Sequence, residues 1–489
     1  MTEETKDSTI IGPAGLFRLV QDRLKPWKTP NGDVFVDLWV DARRYTVAVR
    51  SEGFVGMLYL ICAQDAPGKM LSARAVDEVR AWAIGIAIAR GRTFEANVRL
   101  GGDSKTVWYD LGDDTHDMVK WIGGRWVITR ATGDTPHFYR PGGMLAQVRP
   151  GEGGNLVEIL GRHIRTKGDD IYLLAAWLIG ALKPGGPYPI LIINGEQGSA
   201  KSTTTRLLRK LIDPHALDMR EPLDNNRDLV AAVKNSYVLA FDNMSFLKNN
   251  LSDSFCRIST GTGALGGRAL YTDTTEAAFT ACRPIVLNGI PSFAEREDLV
   301  SRSINIELPA IKEAMRIDDD TFWQGVDRDL PDILGALFDC VAVAQARFPE
   351  VKLNNAPRMA NFARWAYAGL GQDGDKFLQA YSRNKMEASS HFVEHSEVAQ
   401  ALIKFMEDKE VWHGTWAQLL KDLGHNDLSN SWPTNSLQLR NRVIRLSEDL
   451  RKCGIEWRTN GREGGTGRMA LELRRLDSYL KNIFLVSVA

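Results

Sequence analysis

A glycine-containing turn followed by lysine and serine is the stretch of this 489-residue chain with the clearest chemistry. Gly195–Thr203 reads Gly-Glu-Gln-Gly-Ser-Ala-Lys-Ser-Thr and follows the apolar run at 189–193. A strand, a glycine turn and a helix opening with Lys-Ser form a phosphate-binding loop, because backbone N–H groups and the helix dipole favour an anion there. The residues predicted to hold the phosphates are Gly195, Glu196, Gln197, Gly198, Ser199, Ala200, Lys201, Ser202 and Thr203.

The side chains of this loop suit two ligands, phosphate and Mg²⁺. Lys201 is expected to reach the β- and γ-phosphates, and the Ser202 hydroxyl is expected to ligate Mg²⁺. Ala200 stands where the motif usually has its second glycine. Alanine fits if that position has the right-handed backbone angles of a helix start, which is our expectation. The sequence therefore predicts a site for a nucleoside triphosphate with Mg²⁺.

Two further apolar runs end in polar residues that suit the same ligand. The run at 236–241 ends at Asp242, and the run at 283–287 ends at Asn288. Buried parallel strands present their carboxyl ends at one edge of a sheet, so Asp242 is predicted to supply a second Mg²⁺ contact. The Asn288 amide is predicted to hold the attacking water or the γ-phosphate.

Composition bounds the class of protein. The formal net charge is zero and charged residues make up 25% of the chain, so any nucleic-acid surface must be a local patch. The five cysteines form no C-x-x-C pair, which argues against a disulfide framework or a zinc ribbon and favours a reducing cytoplasm. The polar amino end is no signal peptide, and the longest apolar run, 171–182, is too short to span a bilayer.

The order of the motifs resembles the superfamily 3 helicases, a branch of the AAA+ ATPases found in viruses, phages and plasmids. The motifs lie close together, within 195–288, and residues 186–189 read Gly-Pro-Tyr-Pro, as in prophage ATP-binding proteins near the poxvirus-type primase-helicases. The resemblance implies that ATP binds at Gly195–Thr203 and that Mg²⁺ is held by Ser202 and Asp242. It also implies that Asn288 is a sensor amide.

The same resemblance implies a ring. Arg302 matches the position of an arginine finger that reaches the γ-phosphate of the neighbouring subunit, so a homo-oligomer, by family a hexamer, is expected. Asn243 departs from the family, because many members have a second acid there and an amide cannot act as a base. Glu196, Asp273 and Glu276 are alternative bases, and slow or rare hydrolysis stays open.

Two segments are predicted to contact DNA. Arg268 and Tyr271 lie where the family has its channel hairpin; arginine can pair with phosphate and tyrosine can stack on a base. An ordinary surface hairpin is the alternative there. Residues 431–475 contain ten Lys or Arg against five acids, in an order of helices and strands that resembles a winged helix-turn-helix. The predicted contacts in this second segment are Arg440, Arg445, Arg458, Arg462 and Arg468.

The winged helix has its own alternative, a surface for protein contact or a lid. In all, the sequence predicts an α/β protein of four segments: an amino-terminal α+β domain of unknown role (1–165), a P-loop AAA+ core with a parallel sheet (166–310), a helical lid or linker (311–390) and the winged helix (391–489).

The predicted function is that of an ATP-dependent, ring-forming DNA helicase in phage, prophage or plasmid replication, with ATP and Mg²⁺ as cofactors. Its expected partners are single-stranded or forked DNA, further copies of the chain and a separate primase or polymerase. A DNA-binding ATP switch without processive unwinding, such as an initiator or loader, is the alternative. A terminase-like packaging motor is disfavoured, because the carboxyl-terminal segment does not show a nuclease's clustered acids.

Overall fold

The structure, a computed structural model, describes residues 10–40, 43–263, 265–268, 276–289, 296–354, 356–424, 432–462 and 469–476. The chain forms two compact units: the first comprises Met1–Ala294 and Arg302–Ala380, the second Glu295–Ser301 and Tyr381–Ala489. The first three predicted segments thus fall almost wholly in the first unit. The four-segment division itself stays a prediction.

Helices, two antiparallel sheets and two short parallel strand pairs make up the described amino-terminal region of the first unit. Its elements are β1 (Ile10–Ile11), α1 (Pro13–Val20), β2 (Lys25–Lys28), β3 (Val34–Val40), β4 (Arg43–Ala48), α2 (Glu52–Asp65), β5 (Met70–Leu71), α3 (Ala73–Arg90), β6 (Ala96–Asn97), β7 (Leu100–Gly102), β8 (Thr106–Asp110), β9 (Asp117–Ile122), β10 (Arg125–Arg130), β11 (His137–Phe138) and α4 (Leu156–His163). Strands β2, β3 and β4 form one antiparallel sheet, and β7 to β10 form another in chain order. Helix α3 begins where Ser72 accepts a hydrogen bond from the Ala75 N–H, the usual role of an N-cap serine.

A parallel sheet lies at the centre of the first unit. The elements that follow α4 are α5 (Asp170–Ala181), β12 (Ile190–Gly195), α6 (Lys201–Ile212), α7 (Asn226–Asn235), β13 (Leu239–Met244), α8 (Asn249–Thr260), β14 (Leu265–Arg268), β15 (Glu276–Phe279), β16 (Ile285–Gly289), α9 (Glu297–Ser301, part of the second unit), β17 (Ser303–Leu308) and α10 (Asp319–Arg347). The sheet order is β13-β16-β12-β17, with every pair parallel. The predicted α/β class and parallel sheet are confirmed, since strands buried on both faces read as apolar runs.

Helix α5 is the apolar run that the sequence analysis singled out at 171–182. It has 12 residues and is buried along most of its length. Among the residues that the structure describes, no helix is both long enough and apolar enough to cross a membrane.

Two side chains of the amino-terminal region bind the last carbonyl groups of α6. The Tyr109 hydroxyl donates to the carbonyl oxygen of Ile212 at 2.9 Å. The Gln147 side-chain amide donates to the carbonyl oxygens of Lys210 (3.0 Å) and Leu211 (3.2 Å). The last carbonyl groups of a helix receive no hydrogen bond from N–H groups of the helix itself. The side chains of Tyr109 and Gln147 supply these missing donors. Burial raises the pKa of Tyr109 to about 12.

A buried ion pair lies directly after that helix end. Arg99 is 0% exposed, and its Nε donates to Asp213 Oδ1 at 3.2 Å. The other carboxylate oxygen of Asp213 accepts the backbone N–H groups of Tyr237 (2.8 Å) and Val238 (3.1 Å). The amino-terminal region and the parallel sheet are therefore joined by buried polar contacts within one unit.

Long helices follow the sheet. After α10 come α11 (Ala360–Leu370) and α12 (Gly374–His395). These helices lie within the segment predicted as a helical lid or linker, 311–390, except that α12 ends beyond it, at His395.

The second unit continues with short helices and one antiparallel sheet. Its elements after α12 are α13 (Glu397–Met406), β18 (Val411–Gly414), α14 (Trp416–Asp422), α15 (Ser436–Arg445), α16 (Ser447–Lys452), β19 (Ile455–Arg462) and β20 (Met469–Arg475). The sheet order is β18-β20-β19. The sequence predicts one helix over 436–452, but the helix breaks at Leu446. There the Ser447 hydroxyl donates to the carbonyl oxygens of Val443 (3.0 Å) and Ile444 (2.6 Å), a local competition with helical bonding.

Candidate functional site

The turn between β12 and α6 needs glycine at two positions. Gly195 has a φ of 152° and Gly198 a φ of 81°, both in the region that side chains avoid. A Cβ at Gly195 would lie 2.5 Å from Ser199 Oγ and 2.7 Å from the carbonyl oxygen of Leu308. The backbone of β17 therefore passes directly against the turn. Ser199 itself is buried, and its hydroxyl has no hydrogen-bond partner within the described part of the chain.

Ala200 is the residue before the first turn of α6. Its backbone angles are φ 60° and ψ 32°, which is the left-handed conformation. Our expectation of right-handed angles at this position is wrong. The left-handed conformation brings Cβ close to the following carbonyl oxygen and costs an L-residue about 1–2 kcal/mol. The turn therefore carries backbone strain at the position where the motif usually has glycine.

Lys201 folds back over the turn. Its Nζ donates to the carbonyl oxygens of Gly195 (2.7 Å) and Glu196 (2.8 Å). The first N–H groups of α6 have no acceptor within the helix, and the positive end of the helix dipole lies at the same place. A cation and unpaired N–H groups around one turn form a place where an anion is stabilised.

A hydroxyl and a carboxylate meet beside this turn. The Ser202 Oγ donates to Asp242 Oδ1 at 2.9 Å. Asp242 lies near the carboxyl end of β13 and is half-buried. The structure thus brings together the two residues predicted as metal ligands, although they are 40 positions apart.

Asn288 lies at the carboxyl end of β16, the strand between β13 and β12. It is 1% exposed, and its Nδ2 donates to Thr205 Oγ1 at 2.9 Å. Its Oδ1 accepts the backbone N–H of Asn243 at 3.1 Å. The amide therefore joins α6 to β13, and Thr205 is a contact that the sequence analysis missed. Its position four residues after Lys201, on the same helix face, was the available signal.

Asn243 has a left-handed backbone, with φ 55°, at an irregularity in the pairing of β13 with β16. Its N–H is also 3.0 Å from Asp242 Oδ1, and its side chain is exposed. Asparagine is one of the few residues that adopt this conformation readily. The backbone conformation is therefore a physical reason for an asparagine at position 243, where many members of the family that the sequence resembles have an acid.

The structure describes only some of the carboxylates that could act as the general base in place of residue 243. Glu196 is exposed on the turn. Glu276 opens β15, without a described side chain, and Asp273 lies outside the described residues.

Arg302 lies at the amino-terminal end of the sheet strands, whereas the turn follows their carboxyl-terminal end. It directly precedes β17, and its carbonyl oxygen accepts the Ile190 N–H at 3.0 Å. Ile190 and Ser303 begin the paired strands, whereas Gly195 and Leu308 end them. Five residues of strand separate the two edges by about 17 Å. The structure therefore does not bring Arg302 to the turn of its own chain.

The predicted DNA contacts are described in part. Strands β14 and β15 pair antiparallel, and Arg268 ends β14, but its side chain and Tyr271 lie outside the described residues. In the second unit Arg445 is exposed on α15, and Arg440 is half-buried. Arg458 is exposed and pairs with Glu456 at 3.0 Å. Arg462 ends β19 without a described side chain, and Arg468 lies outside the described residues.

A hollow of about 680 Å³ lies between α4 and the segment after β17. Its lining is partly apolar (Val157, Ile164, Ile171 and Pro309) and partly charged, with both an acid and arginines (Glu158, Arg162 and Arg165). Pro309 follows Leu308, whose carbonyl oxygen lies against Gly195. The hollow is thus next to the beginning of the turn, and nothing in the sequence pattern indicated it.

Two segments of the chain match known protein families. Residues 162–386 match the actinomycete integrative conjugative element replication protein, and residues 398–481 match the AICE RepA C-terminal domain. No curated protein matches the chain. Solved apo structures of the NrS-1 C-terminal region are 11% and 12% identical, cover 94% of this chain and 98% of theirs, and have a TM-score of 0.38. The predicted context of replication on a mobile element is supported, because over these two segments the chain is similar to replication proteins of actinomycete integrative conjugative elements.

Proposed function

We propose that this protein is a P-loop ATPase of the AAA+ type that acts as a superfamily 3 DNA helicase in the replication of a mobile element. The observation that carries the proposal is the Ser202–Asp242 contact beside a glycine turn at the carboxyl edge of a parallel sheet. In open α/β sheets ligands bind at that edge.

The metal part of the proposal rests on distance and chemistry. Mg²⁺ prefers oxygen ligands in octahedral geometry at about 2.0–2.1 Å, so neighbouring ligands are about 2.9 Å apart. Ser202 Oγ and Asp242 Oδ1 are separated by 2.9 Å. These two oxygens would hold the ion, which neutralises charge on the β- and γ-phosphates. Lys201 would leave the carbonyl groups that it now binds and pair with the same phosphates.

The hollow between α4 and Pro309 is a candidate site for the base of the nucleotide. The hollow beside Pro309 combines apolar side chains with four polar or charged ones, Glu158, Arg162, Arg165 and Thr166. Apolar walls with few polar groups are typical of ligand pockets. We propose that the base and ribose of ATP occupy this hollow while the phosphates lie against α6.

The position of Arg302 supports the proposal of a ring. Since Arg302 is about 17 Å along the sheet from its own turn, it could act on ATP only in a neighbouring copy. An arginine supplied in this way stabilises charge on the transferred phosphoryl group. We therefore propose a homo-oligomer, a hexamer by family resemblance, with Asn288 holding β13 against α6 near the γ-phosphate.

DNA binding is proposed for the hairpin β14–β15 and for the second unit as a winged helix-turn-helix. In the second unit, Leu439 and Val443 of α15 are buried while Arg445 is exposed, so this arginine is open to a partner. Lysine and arginine bind phosphate with strong dependence on salt.

Filter binding of the full chain to DNA should weaken as salt rises, and Arg445→Ala should reduce the slope of log affinity against log salt concentration. Unchanged affinity across the salt series would contradict phosphate binding.

ATP hydrolysis is tested by phosphate release with single-stranded DNA. Lys201→Ala is expected to lower the rate to background, because Lys201 is the cation at the turn. Lys210→Ala is the matched control, since Lys210 lies at the other end of α6 and pairs with Asp327 on the surface. Equal background rates for wild type and Lys201→Ala would refute the ATPase.

The alternative, an ATP switch such as an initiator or loader, shares this ATP site. Forked DNA with a labelled strand separates the two functions. A helicase releases the strand continuously in the presence of ATP, whereas a switch binds the fork and changes affinity with nucleotide but releases no strand. Wild-type ATPase without strand release would favour the switch.

A further inference from the structure

Arg316 lies against the turn of its own chain. Its Nη2 is 3.2 Å, and its Cζ 3.9 Å, from the position that a Cβ would take at Gly198. Gly198 is exposed and has a φ of 81°. A guanidinium group therefore lies against the turn at Gly198, where a larger residue would have to displace it slightly.

The segment before Arg316 is fixed on both sides. Its backbone forms a 3-10 turn over Glu313–Met315, in which the Arg316 N–H donates to the Glu313 carbonyl oxygen at 3.1 Å. Arg165, from the wall of the hollow, donates to Met315 Sδ at 3.3 Å. At its other end, Leu308 lies against Gly195. The segment that carries Arg316 therefore has contacts at both ends, through Leu308 and through Met315.

The charge of Arg316 is not used by its neighbours. Its guanidinium is exposed and, within the part of the chain that the structure describes, forms no hydrogen bond or ion pair. Lys201, the other cation at the turn, is engaged with carbonyl oxygens. An arginine offers a planar set of donors that matches phosphate oxygens in pairs. The turn therefore has a second cation whose donors are available for an anion.

We propose that Arg316 is a phosphate-contacting residue that acts on the nucleotide bound in the same chain. Its guanidinium, which lies beside Gly198 of the turn, donates to phosphate oxygens of the nucleotide held against α6. This inference rests on the proposed nucleotide site. It gives the site two arginines of different origin: Arg316 from the same subunit, and Arg302 from a neighbouring one.

Calorimetric titration of the full chain with Mg-ATP and with inorganic tripolyphosphate tests the contact. Arg316→Ala is expected to weaken both ligands by about tenfold, the loss of a charge-assisted hydrogen bond. Arg316→Lys should recover part of the affinity, since it keeps the charge without the paired donors. Lys312→Ala is the matched control, because Lys312 is an exposed cation of the same segment. Affinities of Arg316→Ala equal to those of Lys312→Ala would overturn the proposal.

The same titration separates this inference from the proposed function. If wild type binds neither ligand, or Lys201→Ala binds both as tightly as wild type, the nucleotide site itself is wrong. If Lys201→Ala loses binding while Arg316→Ala does not, only the role of Arg316 is wrong.

Mixing two variants tests whether the contact is made within one chain. Arg316→Ala subunits keep Lys201, and Lys201→Ala subunits keep Arg316. If Arg316 acts on its own chain, a mixture of the two binds Mg-ATP no more tightly than Arg316→Ala alone. Recovery of wild-type affinity in about half of the sites that keep Lys201 would mean that Arg316 reaches a neighbour, and would refute the same-chain contact.

Discussion

The two ends of α6 differ in how their polar groups are used. At the carboxyl end, Tyr109 and Gln147 bind the last carbonyl groups, and the buried carboxylate of Asp213 is paired with Arg99. At the amino end, Ser199 has a buried hydroxyl without a partner among the described residues, and Ala200 has a strained backbone. At the carboxyl end the polar groups are hydrogen-bonded within the chain. At the amino end the Ser199 hydroxyl could gain a hydrogen-bond partner from a ligand.

The difference indicates how one helix can serve both stability and binding. Buried polar groups that are fully paired stabilise a single arrangement, whereas unpaired groups and strain cost free energy. The amino-terminal region, which the sequence analysis left without a role, provides the paired end. We infer that it fixes α6 so that the strained turn keeps its position.

Replacement of Arg99 should have the largest effect on the paired end. Arg99→Ala leaves Asp213 as a buried carboxylate without its cation, and loss of one partner of a buried pair costs about 3–5 kcal/mol of unfolding free energy. Urea denaturation followed by tryptophan fluorescence measures it. Arg74→Ala is the control, because the Arg74–Glu78 pair is exposed and should contribute less than about 1 kcal/mol. A loss below about 1 kcal/mol for Arg99→Ala would show that the pair is not what fixes this end.

Removal of the Tyr109 hydroxyl should have a smaller effect at the same end. Tyr109→Phe keeps the ring and leaves the Ile212 carbonyl oxygen without its donor, which costs about 1–2 kcal/mol. The same denaturation measures it. A loss as large as that of Arg99→Ala would instead indicate that repacking, not one hydrogen bond, was lost.

The hydroxyl also predicts a pH dependence. Burial raises the pKa of Tyr109 to about 12, from an ordinary value near 10. The unfolded chain therefore loses this proton at lower pH than the folded chain does. The stability that the neutral hydroxyl contributes is fully present below about pH 10 and is lost as pH rises to about 12. The difference in stability between wild type and Tyr109→Phe should shrink over that range, and a constant difference would contradict the shift.

The open end can be tested by removing its strain. Ala200→Gly should stabilise the protein by about 1 kcal/mol, because glycine adopts the left-handed conformation without the cost that alanine has. The matched control is Ala231→Gly, at an exposed position inside α7, where the same change should destabilise by about 1 kcal/mol. Equal signs for the two variants would show that Ala200 is not strained.

Much of the fold could be predicted from the sequence. The strands within the runs at 189–193, 237–241 and 285–287 are apolar and buried, and their regular alternation with helices predicts parallel pairing. The Ser202–Asp242 contact could be predicted as well, because strand ends meet at one edge. The helix break at Leu446 could not, since it depends on where one serine hydroxyl finds its acceptors.

Other parts of the site depend on tertiary contacts with no signal in the spacing. Arg316 lies against Gly198 although 118 positions separate them along the chain, a contact between the turn and the segment after β17. The hollow is formed by α4 and Pro309, about 150 positions apart, which no local pattern brings together. The left-handed angles of Ala200 contradict local preference, as strain at functional positions often does.

Asn243 offers the smallest and most discriminating change at the open end. If this residue is required for its left-handed backbone, Asn243→Gly should leave the unfolding free energy within about 0.3 kcal/mol, and Asn243→Ala should lower it by about 0.5–1 kcal/mol. Phosphate release should then be retained by Asn243→Gly within about threefold, since its N–H still reaches Asn288 Oδ1. A tenfold loss in Asn243→Gly with unchanged stability would contradict this and assign the side-chain amide a part in hydrolysis.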